Sequence, residues 1–342
     1  MNSILKTLAA GNSLSRSQAE AIINQIVEDA FPPEQVGELL LALRKKQETG
    51  EEILGFVDGL SKKAHLLKLP SELHANQSQS VLIDVCGTGG DSAGTFNVST
   101  GVALVLASAG VNVAKHGNRG VSSKSGSSDV LEVLGLGSDT SPEQAIQSLQ
   151  KFHLTFLFAP AFHPILAKLA PIRKSLGVYT IFNALGPLLN PAPLTHQMVG
   201  VYHPSLLSKA ALVLKEKGLK EAYIVHGSDG LDEITLSGET KIAHLKNNSI
   251  SELTISPEDF GLTRVPLSEV KGGGPHENAE ILISIFKGVK SAKRDLILIN
   301  TAAALVLAGK AKNFMDGVAL AASVIDSGKT LFLLQQMKRS TR

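Results

Sequence analysis

The sequence has no tryptophan, only one cysteine and almost no net charge. The single cysteine, Cys86, excludes an internal disulfide and a cysteine-rich metal site. Aromatic residues make up 4% of the chain, which argues against a surface on which nucleic-acid bases stack. The 33 basic and 31 acidic residues leave a net charge of +2, so composition gives no reason to expect nucleic acid or an anionic membrane as a partner.

The chain also lacks a long apolar run. No stretch approaches the roughly 20 apolar residues that span a bilayer. The apolar part of the N-terminal segment is too short for a secretory signal. We therefore expect a soluble cytoplasmic protein. Its 342 residues, 43% of them hydrophobic, are enough for a large core that divides into two domains.

The first part of the chain shows helical patterns only. Ser15-x-x-Gln18 and Ser17-x-x-Glu20 are alternative capping boxes for one helix, and Pro33 marks the start of another. Apolar residues follow at helical spacing, with no alternation of period two. This predicts a small all-α domain over residues 1–72, whose remaining apolar faces could serve a dimer interface.

After a polar linker at residues 74–80, strand and helix patterns alternate. Strands are predicted at Leu82–Val85, Asn112–Ala114, Leu154–Phe158, Met198–Val201 and Ala222–Val225. Helices are predicted at Val98–Ala109, Ser127–Leu134, Pro142–Phe152, Pro204–Lys217 and Glu277–Phe286. Residues 234–255 hold β-branched runs broken by turn residues, which predicts antiparallel hairpins. The pattern indicates a large α/β domain over residues 80–163 and 191–342, with a mostly parallel central sheet and a few antiparallel strands.

The segment from Pro160 to Pro193 is dense in proline. It cannot form one long helix, so we expect short helices at about residues 164–190 that cross back to the small domain. That course would bring His163 and Arg173 to the cleft between the domains, where small-molecule sites are common.

A glycine turn, GTGGD at residues 87–91, follows the first predicted strand. It is neither a P-loop nor a dinucleotide-binding fingerprint, because no Gly-Lys-Ser/Thr follows and Ser92 replaces the third glycine. The next helix begins in Asn97, Ser99 and Thr100, so N–H groups, hydroxyls and a helix dipole converge there. This combination favours an anion. Asp91 would repel a bare phosphate and is expected to touch a ribose hydroxyl or a metal.

Basic and flexible residues follow the second predicted strand. Lys115, His116 and Arg119 lie at its carboxyl end, where parallel sheets bind ligands. The serine- and glycine-rich run behind them can close over a phosphate with hydroxyls, N–H groups and Lys124. Together these loops predict a site for a phosphorylated sugar that carries a metal ion.

Asp232 and Glu233 follow the Ala222–Val225 strand, at the same sheet edge as the glycine turn if the sheet is parallel. Two carboxylates beside a pyrophosphate imply Mg²⁺. Cys86 flanks the glycine turn, and we interpret it as a buried small residue rather than a nucleophile, because no histidine partner can be named for it.

Eight motifs together resemble the anthranilate phosphoribosyltransferase family. They are GTGGD (87–91), NVST (97–100), KHGNR (115–119), SGSSDVLE (125–132), FAPAFHP (158–164), PIRKSLG (171–177), FNALGPLLNPA (182–192) and GLDE (230–233). The resemblance covers nearly the whole chain, although GTGGD alone would not be specific.

The resemblance implies an enzyme that transfers the phosphoribosyl group of 5-phosphoribosyl 1-pyrophosphate, the sugar donor, to the amine of anthranilate in tryptophan biosynthesis. It implies a small helical domain, a large α/β domain and a homodimer through the helical part. Mg²⁺ would be held by Ser99, Asp232 and Glu233.

The resemblance also assigns substrate contacts. Anthranilate would meet Gly87, Asn118, His163 and Arg173, and His116 and His163 would line its channel as the candidate catalytic residues. The sugar donor would be held by Gly87, Gly90, Asp91, Thr95, Asn97, Val98, Ser99, Thr100, Lys115, His116, Gly117, Asn118, Arg119, Gly120, Val121, Ser122, Ser123 and Ser127.

Two departures from the family pattern are Tyr179, where arginine is usual, and Gly274-Pro275-His276. Neither falls on an assigned ligand residue, so we expect activity to be kept. The alternatives are a pyrimidine nucleoside phosphorylase of the same fold, or a non-catalytic relative that binds nucleic acid. The acidic pair and Arg173 argue against the first, and the near-neutral charge argues against the second.

Overall fold

The computed structural model describes residues 1–70, 81–91, 93–120 and 124–340 of the chain. The polar linker at residues 74–80 and the assigned sugar-donor ligands Val121, Ser122 and Ser123 lie outside the described residues.

The N-terminal region is helical, as predicted. Its helices are α1 (Asn2–Ala9), α2 (Arg16–Val27), α3 (Pro33–Lys46) and α4 (Gly50–Ser61). Of the two alternative capping boxes, Ser15 and Gln18 form the one that begins α2, because Ser15 precedes the first helical residue. The apolar stripe of α3, from Val36 to Leu43, is buried. The domain boundaries given above stay a prediction.

A seven-stranded sheet occupies the rest of the fold, and all five predicted strands are present in it. Its strands are β1 (Leu82–Gly87), β2 (Asn112–Gly117), β3 (Leu154–Phe158), β4 (His196–Gly200), β5 (Glu221–Gly227), β6 (Thr240–Lys246) and β7 (Ser249–Ile255). Their order is β3-β2-β1-β4-β5-β6-β7; the pairs from β3 to β5 are parallel, and β6 and β7 are antiparallel.

Further helices follow, and the five helices predicted with bounds are among them, with ends that agree to within a few residues. They are α5 (Val98–Ser108), α6 (Ser127–Val133), α7 (Pro142–Phe152), α8 (Ala159–Phe162), α9 (Leu166–Leu176), α10 (Ile181–Leu188), α11 (Leu207–Glu216), α12 (Pro275–Phe286), α13 (Ala292–Leu307), α14 (Phe314–Asp326) and α15 (Lys329–Ser340). The proline-rich segment is divided among α8, α9 and α10, as expected. In the described residues no single helix is both long and apolar enough to cross a membrane, and only the bent pair α14 and α15 meets those criteria together.

The predicted hairpins in residues 234–255 reduce to one, formed by β6 and β7 around Asn247 and Asn248. The first apolar run, which begins at Ile234, does not pair as a strand. Ile234 is buried, and Asn300 of α13 bonds both its N–H and its carbonyl, each at 2.9 Å. A helix side chain therefore satisfies the backbone groups that a neighbouring strand would have bonded.

Alternate residues of the central strands face two different cores. One core contains α5 and α13 with Ile83 and Val85 of β1. The other contains α11, the N-terminal helices and α10, with Cys86 of β1. The sheet is thus the middle layer, and the N-terminal helices extend its second face.

The strand order reverses its direction at β1. The chain moves outward from β1 to β3 on one side, and β4 returns to the other side of β1. Their carboxyl ends align, since Gly87 of β1 pairs with Gly200 of β4. In open α/β sheets ligands bind where the order reverses, outside the carboxyl ends of the strands.

Candidate functional site

The glycine turn extends from the carboxyl end of β1 at this reversal point. Thr88 N–H donates to the Gly200 carbonyl at 2.9 Å, and Gly89 N–H donates to Asp232 Oδ2 at 2.7 Å. Gly90 has a φ of +81°, a conformation that glycine adopts without strain. A Cβ on Gly87 would lie 2.4 Å from Asp232 Oδ2, so the turn packs onto this carboxylate.

The predicted metal ligands come together beneath the turn. Asp232 and Glu233 are both buried, and the Ser99 N–H at the start of α5 donates to the Glu233 carboxylate. Burial and the neighbouring Asp91 raise the pKa of Asp232 to about 7. Burial and Asp232 raise the pKa of Glu233 well above its ordinary value.

This acid cluster brings three carboxyl groups together, and the repulsion between them contributes to the raised pKa values of Asp232 and Glu233. Asp91 Oδ2 is buried without a hydrogen-bond partner. In the described part of the chain, no three histidine, cysteine, aspartate or glutamate side chains are arranged to enclose a metal. The geometry fits a cation that takes few protein ligands and completes its coordination with substrate oxygens and water, as Mg²⁺ does.

Two basic side chains of the predicted site, Lys115 and Arg119, are bonded to other residues of the protein. The Lys115 ammonium is buried and donates to the Val85 carbonyl at 2.9 Å. Arg119 lies 3.2 Å from Asp129 and 3.1 Å from Glu132 of α6. The sequence places both cations at the strand end, but only the tertiary contacts determine where their charged groups point.

The loop after β2 packs against the start of α6. Ser127 Oγ donates to the Asn118 carbonyl at 3.2 Å, and a Cβ on Gly117 would lie 2.1 Å from that hydroxyl oxygen. The Asp129 carboxylate accepts the Gly120 N–H at 2.8 Å. The assigned sugar-donor residues on either side of Val121–Ser123 therefore form one connected surface.

Asn97, just before α5, is held by residues distant in sequence. Its Oδ1 accepts from Ser125 Oγ at 3.0 Å and from Asn278 Nδ2 at 2.9 Å. The sequence pattern did not single out Asn278, which is buried at the start of α12.

Three further assigned sugar-donor residues lie near the start of α5. Thr95 forms an isolated antiparallel β-bridge with Lys271. The Val98 side chain is buried, so this residue could contact a ligand only through its backbone. The Thr100 hydroxyl oxygen is buried and has no hydrogen-bond partner in the described residues.

His116 and His163 face each other, with ring centroids 5.5 Å apart. His116 Nδ1 lies 3.1 Å from the Gly186 carbonyl, and His163 Nε2 lies 2.6 Å from the Leu189 carbonyl. Since a carbonyl only accepts, each of these nitrogens carries the hydrogen. Burial lowers the pKa of His116 to about 3 and that of His163 to about 4, so both rings are neutral at neutral pH.

The neutral tautomers leave His116 Nε2 and His163 Nδ1 as lone-pair acceptors. Both atoms are buried and have no partner in the described residues. Lys217 extends from α11 to donate to the Leu188 carbonyl at 2.6 Å, and its charge contributes to lowering both histidine pKa values. Burial lowers the pKa of Lys217 itself to about 8.

Arg173 lies near the end of α9, with its guanidinium 5.6 Å from the ring centroid of Phe182. Burial lowers its pKa, and no carboxylate contributes to that shift. A half-buried guanidinium without a protein carboxylate is suited to an anionic ligand.

A buried polar network missed by the sequence prediction lies under the site. The Asp84 carboxylate accepts from Asn190 Nδ2 at 2.8 Å, from Gln197 Nε2 at 3.2 Å and from the His116 N–H at 3.3 Å. Burial raises the pKa of Asp84. The only sequence signal was one acid inside an apolar strand. Cys86 is buried beside Asp84, and burial raises its thiol pKa, which agrees with an unreactive residue.

The departure at Tyr179 lies closer to the site than expected. Its hydroxyl donates to the Gly90 carbonyl at 2.9 Å, so it touches a residue assigned to the sugar donor. Tyr179 is not itself an assigned ligand residue, but it contacts one of them. Five residues lie between Arg173 and Tyr179, and this contact brings the carboxyl end of α9 to the glycine turn.

Comparisons with known proteins agree with this geometry. A sequence model described as the helical bundle domain of the glycosyl transferase family matches residues 2–64, and one described as its a/b domain matches residues 79–331. The anthranilate phosphoribosyltransferase of Methanosarcina acetivorans is 45% identical over 100% of this chain and 90% of its own length. That of Petrotoga mobilis is 44% identical over 99% and 96%.

Solved structures of similar fold cover the whole molecule. Anthranilate phosphoribosyltransferase from Thermus thermophilus superposes with a TM-score of 0.89 at 36% identity, covering 99% of each chain. The Saccharomyces cerevisiae enzyme, solved in complex with PRPP and Mg, gives 0.88 at 30% identity, covering 99% of this chain and 97% of its own. With this identity sustained over both regions of the fold, the chain belongs to the anthranilate phosphoribosyltransferase family.

Proposed function

We propose that this protein transfers the phosphoribosyl group of 5-phosphoribosyl 1-pyrophosphate to the amine of anthranilate, with release of pyrophosphate, in tryptophan biosynthesis. The observation that carries the proposal is the acid cluster under the glycine turn, where a bound cation would relieve the repulsion between the carboxylates. The family to which the chain belongs supports it, as does the yeast relative solved with PRPP and Mg.

The sugar donor would bind along the glycine turn and the start of α5. The turn and the first turn of α5 present N–H groups and the positive end of a helix dipole, which favour phosphate oxygens. Asp232, Glu233 and Ser99 would hold Mg²⁺, with Asp91 near enough to bind a metal-bound water or a ribose hydroxyl. The metal ion would neutralise charge on the departing pyrophosphate.

Anthranilate would bind between Arg173 and the two histidines. A guanidinium meets a carboxylate in a two-pronged pair, and burial of Arg173 strengthens that attraction. The free nitrogens of His116 and His163 can each accept an amine N–H, which would orient the nitrogen lone pair. Either histidine is a candidate for the proton lost by the amine.

The chemistry needs positioning more than a strong base. In the reaction, the bond between ribose C1 and the pyrophosphate oxygen breaks, and a bond from C1 to the amine nitrogen forms. The aromatic amine is neutral at neutral pH, so its lone pair is available for attack. The barrier arises from the charge that develops as the C1–oxygen bond breaks, which is positive on the ribose ring and negative on the departing pyrophosphate. Fixed N–H groups and cations would stabilise the negative charge on the pyrophosphate, and close approach of the amine would favour its attack on C1.

We further infer a homodimer formed through the N-terminal helices. An apolar groove of about 1010 Å³ lies between α2, α3 and α9, with Phe31, Val36, Leu41 and Leu176 in its lining. Leu41 is 43% exposed in a single chain, as an interface residue would be. Light scattering should give about twice the 36.0 kDa mass of one chain. A cytoplasmic location also stays a prediction.

The decisive experiment follows the fluorescence of anthranilate in the presence of the sugar donor. We expect decay with Mg²⁺ and little decay when the metal is chelated, and readdition of Mg²⁺ should restore it. Absence of decay with Mg²⁺ would exclude the proposed reaction. Phosphorolysis of a pyrimidine nucleoside, measured in parallel, would instead favour the nucleoside phosphorylase alternative.

A further inference from the structure

Tyr179 occupies the short link between α9 and α10 and approaches the glycine turn closely. Its hydroxyl donates to the Gly90 carbonyl at 2.9 Å. A Cβ on Gly90 would lie 2.5 Å from this hydroxyl oxygen and 2.6 Å from the ring. The tyrosine can therefore reach the turn only because Gly90 has no side chain.

A second tyrosine fixes the ring of the first. Tyr202, just after β4, stacks on Tyr179 with centroids 5.0 Å apart and an angle of 25° between the rings. The Tyr202 N–H donates to Thr88 Oγ1 at 3.0 Å. The stacked pair therefore contacts the glycine turn at both Thr88 and Gly90.

The hydrogen bond from Tyr179 determines the direction of one peptide group. In a trans peptide the carbonyl and the following N–H point in opposite directions. With the Gly90 carbonyl held towards Tyr179, the Asp91 N–H points away from it. In the described residues no group accepts from the Asp91 N–H, whereas the Gly89 N–H is already bound to Asp232.

We propose that Tyr179 is a positioning residue for the sugar donor, which orients the Gly90–Asp91 peptide so that its N–H faces the donor pocket. It does so from the segment that also carries Arg173, so one segment positions both substrates. The inference rests on the proposed function.

The test is Tyr179→Phe, which keeps the stacked ring and removes only the hydroxyl. Loss of one neutral hydrogen bond, about 1 kcal/mol, corresponds to a roughly fivefold rise in KM for the sugar donor. We expect KM for anthranilate and kcat to stay within about twofold of wild type. Calorimetric titration with the Mg²⁺ complex of the sugar donor should show the same fivefold rise in Kd, independently of turnover.

Two further variants make the result specific. Tyr223→Phe is the matched control, because it removes a buried hydroxyl from β5, where the ring packs against His244; all its constants should equal those of wild type. Tyr179→Leu removes ring and hydroxyl together, and it should raise KM for the sugar donor by at least as much as Tyr179→Phe, without a matching rise for anthranilate.

The inference is overturned if Tyr179→Phe leaves Kd and KM for the sugar donor within twofold of wild type. It is equally overturned if KM rises by the same factor for both substrates, since that indicates a general structural role. Failure of the wild-type protein to bind or consume the sugar donor would instead remove the proposed function itself.

Discussion

Arg173 provides the sharpest test of how the protein selects its acceptor. Its guanidinium is half-buried, lies over the Phe182 ring and has no carboxylate partner in the described residues. If it binds the anthranilate carboxylate, Arg173→Ala removes charge-assisted hydrogen bonds that together contribute about 3 kcal/mol. At about 1.4 kcal/mol per tenfold change, KM for anthranilate should rise roughly a hundredfold.

The sugar donor provides the internal reference for this measurement. Its KM should change by less than about threefold, because Arg173 approaches the glycine turn only through the Tyr179 link. Arg173→Lys keeps the charge but loses the two-pronged geometry, so we expect an intermediate effect on KM for anthranilate. Initial rates are measured by anthranilate fluorescence, with each substrate varied at saturation of the other.

Lys174→Ala is the matched control, because it removes an exposed positive charge from the neighbouring position of α9. It should leave both KM values unchanged. Equal increases for the two substrates in Arg173→Ala would refute the assignment of Arg173 to the acceptor. A fall in melting temperature that explains the lost activity would point to a packing role against Phe182 instead.

Three further predictions follow from the site and its supports. Gly87→Ala places a methyl group 2.4 Å from Asp232 Oδ2, and the resulting displacement should lower kcat/KM for the sugar donor by about a hundredfold. The pKa values of His116 and His163, lowered to about 3 and about 4, mean that the unfolded chain binds protons below pH 6.5 that the native protein does not. The contribution of these two histidines to the free energy of unfolding should therefore fall as pH drops from 6.5 towards 4, by about 1.4 kcal/mol per pH unit for each of them. The raised pKa values of Asp232 and Glu233 act in the opposite sense, so the histidine contribution is measured as the difference between wild type and a variant without the two imidazoles. Glu52→Ala removes the only carboxylate paired with the buried Lys46 ammonium in the described residues and the acceptor of two N–H groups, and it should destabilise the fold by roughly 3 kcal/mol or more, seen in urea unfolding.

Each of these predictions has a control within the chain. Gly274→Ala adds a methyl group into open space, so its kcat/KM should match that of wild type. The double replacement of His116 and His163 by glutamine should remove their contribution, so wild type should lose stability relative to the double variant as pH falls, and an equal slope for the two proteins would contradict the assigned protonation states. Glu51→Ala, on the exposed side of α4, should leave the urea midpoint nearly unchanged.

Local sequence signals predicted much of the fold because they act over a few residues. Capping boxes, proline starts and apolar periods located the N-terminal helices, and apolar runs located every strand from β1 to β5. The hairpins of residues 234–255 were partly wrong, because β-branched residues such as Ile234 pack in a core as readily as they pair in a sheet. Their pattern carries no information about Asn300, which satisfies their backbone groups from a distant helix.

The candidate site was likewise predicted only in part from local sequence signals. The residues that follow each strand end can be read directly from the amino-acid order. Because parallel strands bring those ends to one edge, the glycine turn, Lys115–Arg119 and the Asp232–Glu233 pair could be predicted to lie near one another. The directions of the side chains depend on long-range packing: the ammonium of Lys115 turns inwards to the Val85 carbonyl, and the Tyr179 hydroxyl reaches the Gly90 carbonyl. These contacts join residues that are distant in the chain, and their geometry depends on strand register and helix packing, which no local pattern encodes.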